Sequence, residues 1–184
     1  TNTRRARAHL AVAEALEAIC GDDPGHRIGE LAHHWRQATR PTDRSKAIAY
    51  ARRAGDRALE SYAAADAVRW YRDALDLITD GERQGPDGCD LLIALATAQL
   101  LAGDRRYRET SLRAGRLAIE LGADDLVVRA ALVTREYNDH FGAVIPETVA
   151  LVESALARTD DRDSPERARL LALLAMETLY MPHR

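Results

Sequence analysis

Between Ile48 and Thr79, the residues Gly55, Ala67, Tyr71, Ala74 and Leu75 stand at the spacings that let two antiparallel helices approach closely. Small residues are required where helix backbones come near each other, and Tyr71 supplies the bulk that fills the facing groove. A chain organised around such a pair is expected to fold as helix hairpins stacked side by side. An array of that kind presents a curved surface for recognition rather than a catalytic centre.

Apolar residues recur at helical spacing along almost the whole chain, and no alternating Val/Ile/Thr-rich segment bounded by turns signals a strand. The pattern predicts an all-α fold of about nine helices, over 3–19, 27–39, 43–61, 64–79, 88–102, 105–121, 124–139, 146–158 and 165–180. Gly21 to Gly25, Arg40 to Thr42, Gly81 to Gly88, Gly103-Asp104, Gly122 and Asp160 to Pro165 separate them. Ser164-Pro165 has the chemistry of an N-cap followed by a first helical residue, and Gly122 that of a left-handed C-terminal glycine. One-sided stripes such as Val68, Tyr71, Leu75 and Ile78, or Leu126, Ala130, Val133 and Tyr137, require neighbours to pack on. The run from Leu91 to Ala102 is apolar on most sides and is expected to be buried nearly all round.

Composition narrows the function. With 46% hydrophobic and 30% charged residues the chain is globular, and a net charge of -3 with a pI near 6.1 disfavours direct nucleic-acid binding. There is one lysine, Lys46, among 26 basic residues. Cys20 and Cys89 are isolated, so neither a disulfide framework nor a metal site is signalled, and a reducing cytoplasm is the expected location. No apolar stretch approaches the length of a membrane span, so no membrane association is expected. Lys46 lies in Arg44-Ser45-Lys46-Ala47 without the Gly-rich turn of a P-loop, and no GxSxG, HExxH or GxGxxG occurs. Neither an enzyme activity nor a cofactor is expected of this segment.

The first members of successive helix pairs begin near residues 4, 43, 88, 124 and 165, a repeat of about 40 residues. The segment Ile48–Thr79, with Gly55 in its first helix and Ala67, Tyr71, Ala74 and Leu75 in its second, resembles a tetratricopeptide repeat. Ala51 departs from that pattern where a large residue is usual, as does Thr79 where the closing proline belongs. In the next pair, Arg108 and Gly115 stand where alanines are expected. The resemblance implies a right-handed solenoid of antiparallel helix pairs, a single helical-repeat domain over 1–184. The ninth helix, with Leu170, Leu171, Leu173 and Leu174, has no following partner, so the chain is expected to be a fragment of a larger multidomain protein.

A broader resemblance rests on Arg4 to Leu10 with Ala13 to Leu16, on Glu30 to Trp35 and on Tyr50 to Gly55. These runs look like the helical-repeat region of large bacterial signal-transduction ATPases, similar in layout to the activator of maltose genes, many of which end in a LuxR-type DNA-binding domain. The resemblance implies a non-catalytic protein-interaction or effector-sensing module of an ATP-dependent transcriptional regulator. Its partners would be a protein, a peptide or a small effector, together with the ATPase domain of the same chain. The alternatives are a helical array attached to a nucleotide-cyclase enzyme and a free-standing peptide-binding scaffold.

Six residues are candidates for the binding surface. In a tetratricopeptide register Arg52, Asp56 and Leu59, with Ala49, face the concave side, where the Arg52 guanidinium suits a carboxylate or phosphate. An intrahelical Arg52–Asp56 pair is the competing reading. His33 and Trp35 either line a groove or, with His34, belong to a helix contact; adjacent helical positions diverge by about 100°, which keeps His33 and His34 from sharing one metal easily. Trp70 is either an interface anchor or a packing residue. The helix from Arg105 carries Arg106, Arg108, Arg113 and Arg116, a basic face that is either solvated or turned to an acidic partner.

Overall fold

A computed structural model describes residues 2–21, 23–38, 44–134, 145–160 and 164–178. These residues are all-α, and no strand occurs among them. They divide into two compact units, 1–83 and 84–184, where the sequence alone reads as one continuous domain.

The first unit contains α1 (Asn2–Cys20), a 3₁₀ turn (Gly25–Arg27), α2 (Ile28–Ala38), α3 (Arg44–Glu60), α4 (Ala64–Leu77) and the short α5 (Asp80–Arg83). α1 packs on α2, α2 on α3 and α3 on α4. The α3–α4 connection is only three residues long, which makes these two helices antiparallel neighbours. Its middle residue, Tyr62, adopts a left-handed φ of 59° and projects its ring fully into solvent. Beneath the turn, Gly55 brings α3 against the ring of Tyr71, one of the most deeply buried side chains of the protein. Ala13, Leu16, Leu31, Trp35, Ala38 and Ala47 form one core cluster through α1, α2 and α3, and Ile28, Ala32, Ala54 and Trp70 a second through α2, α3 and α4.

The second unit contains α6 (Pro86–Leu101), α7 (Tyr107–Leu121), α8 (Asp124–Val133), α9 (Pro146–Leu156) and α10 (Pro165–Thr178), again each packed on its successor. Next-but-one helices also touch: α6 meets α8, α7 meets α9 and α8 meets α10. Gly115 of α7 lies against Leu151 of α9, leaving no room for a Cβ. As its composition demands, α6 buries Leu91, Leu92, Ile93, Leu95, Ala96, Ala98 and Gln99. Cys89 donates its thiol proton to the Ala114 carbonyl of α7, and Ser111 of α7 donates to the Ala130 carbonyl of α8 at 2.7 Å. Gly122 closes α7 in the left-handed region, and Ser164 Oγ accepts the Arg167 N–H at the start of α10.

Two differences from the sequence reading have local causes. The predicted fourth helix over 64–79 stops at Leu77, because Ile78 is extended, and a tenth helix, α5, follows. Thr79 and Glu82 form a reciprocal capping box: the Glu82 carboxylate accepts the Thr79 N–H at 2.7 Å and the Thr79 hydroxyl accepts the Glu82 N–H at 3.3 Å. α6 begins at Pro86 rather than 88, since proline is suited to a first helical turn. The seventh predicted helix is described as far as Val133, so Tyr137 lies outside the described residues. In α10, Leu170 and Leu173 turn inward while Leu171 and Met176 are exposed.

Candidate functional site

The first unit contains a cleft of ≈ 320 Å³ between the α1–α2 connection and α3, lined by Asp23, Pro24, Gly25, Ile28, Arg53, Asp56, Arg57 and Glu60. Pro24 and Ile28 are buried and supply its apolar part. On α3, Arg53 and Arg57 stand four residues apart, as do Asp56 and Glu60, so one helix face offers both charges to the cleft. Arg57 pairs with Glu60 at 3.0 Å, Arg53 lies 5.6 Å from the Tyr50 ring centroid, and Asp23 accepts the Gly25 N–H at 3.0 Å. Asp56 is committed across the helix pair, accepting the Tyr71 hydroxyl proton at 2.7 Å. Guanidinium and carboxylate groups arranged this way bind charged groups by exchange of partners.

A second polar assembly ties α1 to α2 and α3. Glu17 of α1 accepts hydrogen bonds from Lys46 Nζ at 2.8 Å and the Tyr50 hydroxyl at 2.7 Å, both from α3. Burial alone raises the carboxyl pKa of Glu17, but these two bonds outweigh it and hold the pKa below its ordinary value. Burial, followed by the bond to Glu17, pushes the Tyr50 phenol up to about 12. Lys46 also sits 4.5 Å above the Trp35 ring, and Tyr50 lies parallel to the same indole at 6.4 Å. Nearby, His9 of α1 meets His34 of α2 with 3.0 Å between their Nδ1 atoms, and His33 completes a group of three imidazoles. Burial, then the neighbouring His9 and His33, keeps the His34 pKa below the usual histidine value.

No protein family, characterised protein or solved structure matches this chain. The site is therefore read from its own residues.

Of the six residues expected at the binding surface, the structure brings only Asp56 to the cleft. Arg52 and Leu59 are half-buried and lie off it, because the cleft uses the α3 face one residue further on, through Arg53, Arg57 and Glu60. Trp35 is 2% exposed and belongs to the core, so the groove reading of this indole gives way to the packing one. Trp70 is likewise buried, packed with Ile28, Ala32 and Ala54, while Arg69 covers its ring at 4.5 Å. His33 is exposed, and its contact is with the other two imidazoles rather than with the cleft. In the second unit Arg106 precedes α7 and pairs with Asp104 at 2.7 Å.

Sequence reasoning missed His9, Glu17 and the loop residue Asp23. His9 and Glu17 reach their partners only through tertiary packing, His9 across 25 residues and Glu17 across 29 and 33, whereas Asp23 bonds locally to Gly25 and reaches the cleft through the fold of its loop. The i,i+4 spacing of Arg53–Arg57 and Asp56–Glu60 was a readable signal for a charged helix face. Among the described residues, no group of three or more His, Cys, Asp and Glu side chains is placed to hold a metal ion, and no helix is long and apolar enough to cross a membrane.

Proposed function

We propose that this chain is a non-catalytic protein-interaction or effector-sensing module of a multidomain, ATP-dependent transcriptional regulator acting in the cytoplasm, built as a tetratricopeptide-like solenoid. The observation that carries the recognition role is the α3 face, where Arg53, Arg57, Asp56 and Glu60 border a cleft floored by Pro24 and Ile28. Such a surface suits a peptide segment or small effector that carries charge next to an apolar group, since paired guanidinium and carboxylate groups give orientation and the apolar floor gives affinity. The regulator context rests on the resemblance of the Arg4–Leu16, Glu30–Trp35 and Tyr50–Gly55 runs to signal-transduction ATPases.

In this reading the ligand binds one arrangement of the helices better than another, and that difference in affinity biases the ATPase domain toward its active state. The test is transcriptional. In the full-length protein, Arg53→Glu combined with Arg57→Glu is expected to abolish the response of the regulated promoter to its inducing condition while ATP binding and DNA binding persist. An unchanged response would remove the cleft from the account, and a full-length protein that neither binds ATP nor affects transcription would refute the regulator reading.

A further inference from the structure

His9, His33 and His34 form a compact group at the α1–α2 contact, with ring centroids 5.6 Å apart for His9–His33, 5.0 Å for His9–His34 and 5.4 Å for His33–His34. The 3.0 Å separation between His9 Nδ1 and His34 Nδ1 requires one nitrogen to carry the proton and the other to present a lone pair. Protonating both rings removes that hydrogen bond and sets two cations side by side. From this geometry we propose that the imidazole cluster is a proton-sensitive latch: it holds α1 on α2 while neutral and loosens α1 as the medium acidifies.

The surrounding charges favour such a latch. On α1, no carboxylate lies between Asn2 and Ala13, and one turn before His9 stands Arg5, which hydrogen-bonds Asn2. On α2, Glu30 favours the charged form of His34 but is engaged by Arg27 at 2.9 Å. From α4, Asp73 is close enough to interact with His33 and is engaged by Arg36 at 3.2 Å; Arg69 and Asp76 of the same helix offset one another around it. The α3 groups that reach α1, Lys46 and Tyr50, are committed to Glu17, about two turns beyond His9. Glu30 and Asp73 thus each already serve an arginine, and the α1 carboxylate next along from His9, Glu14, stands five residues beyond it.

The sign follows from linkage. His34 binds its proton less readily in the docked state than in a free helix, so its contribution to docking is complete above about pH 6.5 and is lost as the pH falls below that and through its lower docked-state value. Two unit charges at the 5.0 Å His9–His34 separation repel enough, even with the dielectric constant of bulk water, to shift the docking equilibrium about fourfold.

Hydrogen exchange of the full chain, in EDTA at pH 7.5 and 5.5 and corrected for intrinsic rates, tests this. The protection of α1 relative to α4 is expected to fall at least about fourfold at the lower pH. His9→Asn and His34→Asn should each abolish that change, while His26→Asn, altering an imidazole outside the cluster, should leave it intact. An α1 to α4 ratio that does not move with pH, or one that moves equally in His34→Asn, overturns the proposal. If an asparagine variant fails to fold, an NMR titration of the wild-type His34 ring decides: a midpoint below 6.5 supports the latch and one at or above 6.5 refutes it.

Discussion

Two glycine-to-alanine substitutions in adjacent helices should have opposite effects. A Cβ on Gly55 would lie 2.6 Å from Tyr71 Cε1, 2.8 Å from Cζ and 2.9 Å from Cδ1, against a normal carbon–carbon separation of about 3.5–4.0 Å. The ring must therefore retreat by about 1 Å. It is 1% exposed and is held at its far end by the bond to Asp56, so retreat costs packing and that hydrogen bond together. Overpacking costs about 1–3 kcal/mol, loss of a hydrogen bond to a carboxylate about 1.5, and the better helix propensity of alanine returns about 1, a net destabilisation of roughly 1.5–3.5 kcal/mol. At Gly29 the added Cβ meets Trp70 Cζ2 at 3.4 Å, an ordinary contact, so Gly29→Ala should be neutral or stabilising by up to about 1 kcal/mol. Both tryptophans, Trp35 and Trp70, lie in the first unit, so their fluorescence in guanidinium titrations reports on that unit. A Gly55→Ala protein as stable as the wild type would refute the close-packing account of the α3–α4 pair. Restored stability in Gly55→Ala with Tyr71→Leu would confirm that the ring is the obstacle.

Tyr71→Phe alone should cost about 1.5 kcal/mol in the same titration, because the phenol loses Asp56 while the ring keeps its place. Glu17 has a depressed pKa, so the stability it gives the α1–α3 tie is present above about pH 4.5 and lost as the pH falls through its lower folded value; Glu17→Gln should flatten that part of an acid-unfolding curve. Cys89 is fully buried, and burial pushes its thiol up to about 11, so Ellman's reagent at pH 8 should modify Cys20 alone in the native protein and both thiols in guanidinium; rapid native labelling of Cys89 would contradict its place in the α6–α7 core.

The sequence predicts the helix pair around Gly55 and Tyr71 well because the determinants lie within one hairpin: a small residue, a large one and a short turn. The caps at Ser164 and Gly122 are legible for the same local reason. Helix α5 escaped the periodicity argument because four residues are too few to show a period, although Thr79 and Glu82 carry its capping signal. The site was less legible. One residue along a helix turns the side chain by about 100°, enough to move the cleft from the Arg52 face to Arg53 and Arg57. Trp35 and Trp70 have the chemistry of interface anchors, and only their neighbours in space decide that they are core. His9 has no sequence neighbour that marks it, since its partners are on the next helix.

The regulator reading is tested most directly by reading the coding sequence on both sides of residues 1–184 and assaying the whole encoded protein for ATP binding. The expected chain carries a phosphate-binding loop of the GK[ST] type before these helices, a helix-turn-helix after them, and binds ATP. A chain with neither element, or one in which a nucleotide-cyclase domain replaces them, would contradict it.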